Sequence, residues 1–265
     1  MRAHGIDFSK WAPDWIMPKG APIDFAIQRV GFGKHRDERY INHSQRMNQV
    51  DIRMAYFYYS SAVPWKEQVD FCLGLVNDNP YTTYHGLWWD YEEKYNVLSP
   101  RTARETTESV RYLRMGFDGK VGVYCNRDAY VTYLQNYVDK DYLNTIPLWL
   151  AAPVKDVSQV RANQHPPWCF KRGKWPFRYD VCLDRPESLW KLWQYSWIGD
   201  PNELGIIGKK EVDVDVFNGT AAEMRAWLKI GVEPPPPPPE PDLRAYRNEV
   251  LDEAINCLGK LKTAE

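Results

Sequence analysis

The sequence predicts an α/β fold: an irregular (β/α) barrel of eight strands with an incomplete ring of helices, followed by a C-terminal proline linker and helix. Three observations lead to this prediction. Eight short strand-like runs follow one another as far as Phe217, amphipathic helical patterns separate only some of them, and the composition changes sharply from Glu233 onward. We therefore expect a barrel domain over residues 1–232, a proline-rich linker over 233–241 and an amphipathic helix over 242–265.

The eight predicted strands are short runs rich in β-branched, aromatic and other apolar residues. They span residues 5–9, 24–31, 53–60, 86–92, 120–125, 147–151, 192–196 and 211–217. Side chains alternate between the two faces of a strand. In the fourth strand, Trp88, Asp90 and Glu92 are therefore expected on one face. Trp89 and Tyr91 are expected on the other face.

Helical patterns follow the third, fourth and fifth predicted strands. Apolar residues recur on one face over residues 66–76, 101–115 and 127–138. Ser99-Pro100 is predicted to cap the second of these helices, and Asn126 the third. The remaining connections carry weak helical patterns or none, which is why we expect the helix ring to be incomplete.

One connection, residues 152–189, is unusually long. It is rich in Pro, Arg and Lys, and it exceeds the length of an ordinary loop in a compact domain. It is either a functional loop or a structured insertion that packs on the side of the barrel.

The C-terminal segments have a different character. The uninterrupted prolines 234–239 predict an extended, stiff spacer, and residues 242–262 predict a helix with one apolar face. Such a face needs a partner, because isolated helices of this length are marginal in water. Three interpretations are open: the helix packs on the barrel, docks on another protein, or mediates self-association of the chain.

Composition narrows the classes of function. The 265 residues carry 34 basic and 35 acidic side chains, a net charge of −1, so we expect neither nucleic acid nor an anionic membrane surface as the main partner. The 12 Trp and 17 Tyr are many for this length, and flat aromatic faces commonly hold sugar rings. A neutral polymer or small molecule is the partner that this composition favours.

Targeting and metal signals are missing from the sequence. The N-terminus lacks the apolar core of a secretory signal peptide, and no run of about 18 apolar residues predicts a membrane span. We therefore expect a product made in the cytoplasm without a signal peptide and without membrane insertion. The five cysteines form no CxxC motif and the five histidines no metal-binding spacing. We therefore expect reduced thiols, with a Cys169–Cys182 pair as the alternative, and no metal.

Acidic residues are predicted to meet at one end of the barrel. Strand ends surround the mouth of a barrel, and three predicted strands end in acids: Asp7 in the first, Asp90 and Glu92 in the fourth, Asp213 and Asp215 in the last. Like charges held together raise one another's pKa, a cost that a purely structural role does not require. Carboxylates clustered without His or metal ligands indicate glycoside hydrolysis, in which one acid protonates the leaving oxygen and another stabilises positive charge at the sugar carbon.

Several motifs, taken in order, resemble a known family. They lie at residues 5–9 (Gly-Ile-Asp-Phe-Ser), 24–31 with Asp37 and Asn42 after them, 55–58, 89–92 (Trp-Asp-Tyr-Glu), 148–151, 192–196 and 212–217. Their order and spacing are similar to those of the family 25 glycoside hydrolases, the Chalaropsis-type lysozymes, over about residues 4–229.

The resemblance implies an activity and a set of site residues. Members of the family hydrolyse the β-1,4 bond between N-acetylmuramic acid and N-acetylglucosamine in bacterial peptidoglycan, without a metal or organic cofactor. Carried over to this chain, the Asp-x-Glu motif makes Glu92 the general acid. Asp90 is then its partner, which either holds the acetamido group of the substrate or stabilises the charged intermediate. The other implied residues are the acids Asp7 and Asp213 and the groove-lining Tyr56, Tyr124, Gln194 and Trp193.

The sequence leaves three functions open. The first is a peptidoglycan muramidase, which in a chain without a signal peptide suggests a phage endolysin released through a holin. The second is a hydrolase for chitin or another acetamido glycan, with the same acids and a different groove. The third is a non-catalytic glycan-binding or virion structural protein in which the C-terminal helix drives assembly. The intact Asp-x-Glu motif argues against this third function.

Overall fold

The computed structural model describes residues 2–12, 22–92, 97–152, 190–199 and 212–231, without the side chains of 197–199. The chain divides into two compact units, Met1–Ile230 and Gly231–Glu265. The fold described below is that of the first unit. The predicted proline linker, the predicted C-terminal helix and nearly all of the 152–189 connection lie outside the described residues.

The described strands form one nine-stranded sheet in the order β1-β9-β8-β7-β6-β5-β4-β2-β3. Pairing of β1 with β2 closes eight of these strands into a barrel, and β3 extends β2 outside it. The strands are β1 His4–Phe8, β2 Phe25–Phe32, β3 His35–Arg36, β4 Ile52–Tyr58, β5 Gly86–Asp90, β6 Lys120–Asn126, β7 Leu148–Ala151, β8 Trp190–Gly199 and β9 Val212–Phe217. The predicted eight-stranded barrel is therefore confirmed. The short β3 was not predicted, because two residues carry no periodicity.

The last strand runs against the others. Each barrel strand from β1 to β8 pairs in parallel with its neighbour in that series, whereas β9 is antiparallel to both β8 and β1. The expectation that Asp213 and Asp215 lie at the C-terminal end of their strand is therefore wrong. Asp213 instead reaches the mouth from the beginning of β9, where it pairs in register with Asp7 at the end of β1.

The helix ring is incomplete, as predicted. The described helices are α1 Tyr40–Met47, α2 Trp65–Asn77, α3 Pro100–Gly116, a π-helical segment Ala129–Leu134 that continues into α4 Gln135–Tyr137, then α5 Lys140–Asn144 and α6 Ala221–Leu228. The three helical patterns of the sequence correspond to α2, α3 and the π-helical segment with α4. The short α1, α5 and α6 were not predicted.

Both predicted caps are confirmed by hydrogen bonds. The Ser99 hydroxyl accepts from the backbone N–H of Thr102, and the Thr102 hydroxyl accepts from the backbone N–H of Ser99 at 2.9 Å. The Asn126 carboxamide oxygen accepts from the backbone N–H of Ala129 at 2.9 Å. Each bond satisfies a donor that the first turn of the helix would leave unpaired.

Two apolar layers hold the barrel together. The outward faces of the strands pack against the helices in a cluster that includes Trp89, Phe57 and Val110. The inward faces form a second cluster that includes Trp88 and Met54. Trp88 and Trp89 thus point to opposite sides of β5, as the alternation of a strand requires.

Helix α6 covers the end of the barrel opposite the acids. Its Met224 and Leu228 are buried among the inward-facing residues, and the Trp227 ring lies 5.7 Å from that of Phe217 and 6.3 Å from that of Trp88. Because β9 is antiparallel, its C-terminal end delivers α6 to the ends where the parallel strands begin. The described barrel is therefore filled at one end and open to ligands at the other.

Candidate active site

A cavity of about 430 Å³ lies at the open end of the barrel. Its lining residues are Asp7, Ser9, Trp11, Arg29, Tyr56, Tyr58, Asp90, Glu92, Tyr124, Trp149, Gln194 and Asp213. The structure thus brings together four predicted acids and three of the four residues implied to line a sugar groove. The strands that supply them meet here because the parallel strands end at this edge.

Trp193 is the implied groove residue that the structure does not place in the cavity. It is 1% exposed, and its indole Nε1 donates to the backbone oxygen of Ala152 at 2.9 Å. Its neighbour Gln194 faces inward, so alternation along β8 sends Trp193 to the outer layer. The same alternation, read from the sequence, gives this placement once Gln194 is assigned to the groove.

Asp90 and Glu92 form the first acidic pair. Asp90 ends β5 and is 3% exposed, and Glu92 lies two residues further on the same side of the cavity. Burial raises the pKa of Asp90 well above its ordinary value, and the charge of Glu92 raises it further. Arg29 opposes this shift. Asp90 Oδ1 is buried and has no hydrogen-bond partner among the described residues.

Asp7 is held by a chain of hydrogen bonds across the barrel. The Gln194 carboxamide Nε2 donates to Asp7 Oδ2 at 2.6 Å. The Tyr124 hydroxyl donates in turn to Gln194 Oε1 at 3.0 Å, which fixes the orientation of the amide. Burial raises the pKa of the Tyr124 hydroxyl well above its ordinary value, so this group stays a neutral donor. Tyr124 and Gln194 therefore both line the cavity and position an acid.

Asp215 lies beneath this site rather than in it. Its side chain is fully buried and does not line the cavity, and its Oδ1 accepts from the indole Nε1 of Trp149 at 2.8 Å. Burial raises the pKa of Asp215 well above its ordinary value, and the Asp7 carboxyl, with which it makes a hydrogen-bonding contact, raises it further.

Arg29 brings a positive charge to the acids. Its Nε donates to Asp37 Oδ2 at 2.7 Å, and the buried Asp37 also accepts from the backbone N–H groups of Lys10 and Arg39. Sequence reasoning placed Asp37 within a family motif but gave no role to Arg29. Alternation along β2 would have predicted that Arg29 faces the interior, because it follows the inward-facing Ile27 by two residues.

Aromatic rings form one wall of the cavity. The Trp149 ring meets Tyr124 edge-on at 4.6 Å and Tyr56 at 5.7 Å between ring centres. Trp11, in contrast, is 65% exposed at the rim. Sequence reasoning did not single out Ser9, Trp11, Arg29, Tyr58 or Trp149 for the site. The sequence around Trp11 shows no pattern that would distinguish a groove residue from an ordinary surface residue.

The arrangement fits acid–base chemistry on a sugar. It offers closely spaced carboxyl groups that differ in burial, one guanidinium, and flat aromatic faces. Within the described ranges, no group of three or more His, Cys, Asp or Glu side chains is arranged to hold a metal ion. Among the same residues, no helix has the length and apolar character needed to cross a membrane.

Comparison with known proteins decides the family. The sequence profile described as Glycosyl hydrolases family 25 matches residues 6–202, well over half of the chain. The chain belongs to glycosyl hydrolase family 25. This family 25 protein is therefore a glycoside hydrolase, as the resemblance of its motifs implied.

The chain also has a similar protein in Escherichia coli. The uncharacterized protein YegX of Escherichia coli K12 is 24% identical over 234 residues, which are 85% of this chain and 73% of YegX.

Three solved structures share the fold. The catalytic domain of endolysin ply40 from a Listeria monocytogenes bacteriophage is 18% identical with a TM-score of 0.59, covering 86% of this chain and 98% of that domain. A family 25 glycosyl hydrolase from Bacillus anthracis is 18% identical, with a TM-score of 0.62 and coverage of 85% and 93%. A Streptomyces coelicolor lysozyme is 22% identical, with a TM-score of 0.62 and coverage of 86% and 97%.

Proposed function

We propose that this family 25 enzyme is a peptidoglycan N-acetylmuramidase. It hydrolyses the β-1,4 bond between N-acetylmuramic acid and N-acetylglucosamine, with Glu92 as the general acid. The observation that carries the proposal is the pairing of Asp90 and Glu92 at the cavity, with Asp7 and Asp213 opposite them. Its structural relatives include a bacterial lysozyme and a phage endolysin, which supports peptidoglycan as the substrate.

The proton that the reaction uses is assigned from the motif, and electrostatics shows how the pair can hold it. Two carboxyl groups that repel each other retain a proton at a pH where an isolated carboxyl group is ionised. Burial favours the protonated form of Asp90, whereas Arg29 favours its charged form. We assign the reacting proton to Glu92 because it holds the Glu position of the Asp-x-Glu motif and is the less buried of the two, and we assign the negative charge to Asp90 beside Arg29.

The reaction then needs only the residues of the chain and water. Glu92 gives its proton to the glycosidic oxygen as the bond from that oxygen to the anomeric carbon breaks. Ionised Asp90 stabilises the positive charge left on the sugar, either directly or through the acetamido group. Water adds to the anomeric carbon, and its proton returns to Glu92.

Release of reducing ends tests this proposal. Purified peptidoglycan is incubated with the wild type, with Glu92→Gln, and with Glu108→Gln, a matched control on α3 whose side chain is 42% exposed and pairs with Arg111. We expect muramic acid at the new reducing end, identified by mass spectrometry. The rate should fall by roughly two orders of magnitude or more in Glu92→Gln and stay unchanged in Glu108→Gln.

Other results would assign the protein differently. Glucosamine at the new reducing end, or faster cleavage of chitin oligomers than of peptidoglycan, contradicts the muramidase. Binding to peptidoglycan without cleavage by the wild type indicates the non-catalytic alternative. Full activity of Glu92→Gln contradicts the assignment of the acid.

The biological role that we propose is that of a phage endolysin acting on the host cell wall after release through a holin. The similarity to the ply40 endolysin domain supports it. Expression in a susceptible bacterium should cause lysis only when a holin is co-expressed. Lysis without a holin, or no lysis with one, contradicts this role.

A further inference from the structure

A pair of carboxyl groups lies at the base of the cavity. Asp215 on β9 is fully buried and Asp7 on β1 is 5% exposed, and their carboxyl groups make a hydrogen-bonding contact. Gly5 rather than Asp7 is the register partner of Asp215 across the two antiparallel strands. The contact is therefore diagonal, between inward-facing side chains two residues apart in register.

The hydrogen bonds of the pair are incomplete without a proton. The Trp149 indole donates to Asp215 Oδ1 at 2.8 Å, and the Gln194 amide donates to Asp7 Oδ2 at 2.6 Å. Asp215 Oδ2 has no donor among the described residues. Two ionised carboxylates only accept hydrogen bonds, so they repel each other in contact, whereas one proton between them supplies the missing donor.

We propose that Asp215 is a positioning residue that stays protonated and donates a hydrogen bond to Asp7, so that Asp7 presents a single, fixed negative charge to the cavity. The catalytic consequence of this inference rests on the proposed function, but the protonation of Asp215 does not.

The surroundings of the pair determine which member is protonated. The charged groups that face Asp215 are Asp7 from β1 and Asp213 from its own strand, both acidic. The groups that β7 and β8 contribute, Trp149 and Gln194, are uncharged hydrogen-bond donors. Charge is less costly on the residue nearer to water, and Asp7 lines the cavity whereas Asp215 does not. Asp7 is therefore the carboxylate and Asp215 the acid.

The pH dependence of stability tests protonation without an activity assay. Folding raises the pKa of Asp215. As the pH rises past the ordinary pKa of an aspartic acid, Asp215 ionises in the unfolded chain but stays protonated in the folded chain. The wild type therefore loses the corresponding stability with rising pH, up to the folded pKa. Asp215→Asn does not titrate. The unfolding constant of the wild type relative to this variant should rise by up to about tenfold per pH unit above pH 4.

A matched control and a second measurement complete the experiment. Asp118→Asn, at an exposed position, should show no such trend. The infrared difference spectrum between the wild type and Asp215→Asn at neutral pH should contain the C=O band of a carboxylic acid. A stability difference that does not change with pH, or a carboxylate band in place of the acid, overturns the proposal.

Activity measurements test the positioning role. The amide of Asp215→Asn can also donate a hydrogen bond to Asp7, so its kcat on peptidoglycan should stay within about threefold of the wild-type value. Asp215→Leu has no donor, so its kcat should fall by about tenfold or more while KM changes little. Equal activity of the Leu variant contradicts positioning, even if the infrared band shows the acid. An inactive wild type contradicts the proposed function, while the stability and infrared results still decide where the proton lies.

Discussion

Arg29 shows how much one side chain changes the chemistry of its neighbours. It is the cation that opposes the effects of burial and of Glu92 on the pKa of Asp90. Its ion pair with Asp37, which is itself fixed by two backbone N–H groups, holds the guanidinium at the cavity. The ionised form of Asp90 therefore depends on Arg29, a residue that transfers no proton in the reaction.

Arg29→Met should change the acidic side of the pH–rate profile. Without the cation the pKa of Asp90 rises, so a higher pH is needed to ionise it, and the acidic limb of kcat/KM moves to higher pH. We expect kcat/KM at pH 5 to fall by roughly tenfold and that at pH 7 to fall less. The profile is measured by release of reducing ends.

Arg29→Lys is the matched control, because it keeps the charge. Its acidic limb should stay close to that of the wild type. If Arg29→Met leaves the limb in place, Asp90 is not the group that must be ionised. Thermal unfolding of both variants separates this effect from the loss of the ion pair with Asp37.

The sequence predicted site residues correctly where they lie in strands with a clear alternation. Asp7, Asp90, Asp213 and Gln194 were all placed at the cavity, because strand alternation and motif order both apply to them. Trp11 was missed, because an exposed tryptophan in a loop has no pattern around it. The contact of Asp215 with Asp7 was also out of reach, since it depends on the direction of β9.

At the scale of elements, the interior of the barrel depends on a glycine in β6. Gly122 lies in register with Trp88 on β5. A Cβ atom at Gly122 would lie 2.4 Å from Cζ3 of Trp88 and 2.6 Å from the backbone oxygen of Pro147. Both distances are shorter than van der Waals contact allows, so the glycine makes room for the indole inside the barrel.

Gly122→Ala should destabilise the protein. Because the added methyl group meets a buried ring and a backbone atom, we expect a loss of about 1–3 kcal/mol in the free energy of unfolding, measured by urea denaturation. Gly74→Ala is the matched control, since Gly74 is exposed on α2 with no atom within 4 Å of the added methyl group. It should stabilise the protein by about 0.5–1 kcal/mol. Two variants of equal stability would contradict tight packing around Trp88.

Elements were predicted well where they were long and periodic. All eight barrel strands and the three longest helical patterns were found from the sequence, with boundaries within a few residues. The direction of β9 was not, because alternation is the same for parallel and antiparallel strands. Helix α6 was missed because its apolar face is short, although Thr220 and Glu223 form a capping box that marks its start.

At the scale of the whole molecule, the division into two compact units suggests that the barrel does not need the C-terminal unit. We propose that the barrel domain folds and acts without the segments after residue 231. A chain ending at 231 keeps every cavity residue and α6. It should show the same midpoint of thermal unfolding as the full chain and release reducing ends at the same rate.

A shorter chain is the informative control. Ending at residue 219 removes α6 and exposes the apolar end of the barrel around Trp88 and Phe25, so this chain should aggregate or bind a hydrophobic dye. If the chain ending at 231 also fails to fold, the C-terminal unit is needed by the barrel.

The pairing of β1 with β9 also affects how the chain folds during translation. The first and last strands of the barrel are neighbours, so a ribosome-bound chain that stops before β9 has only an open sheet, with unpaired edges on β1 and β8 that invite aggregation. The barrel can close only after translation has passed Phe217, when the pairing of Asp213 with Asp7 joins the last strand to the first.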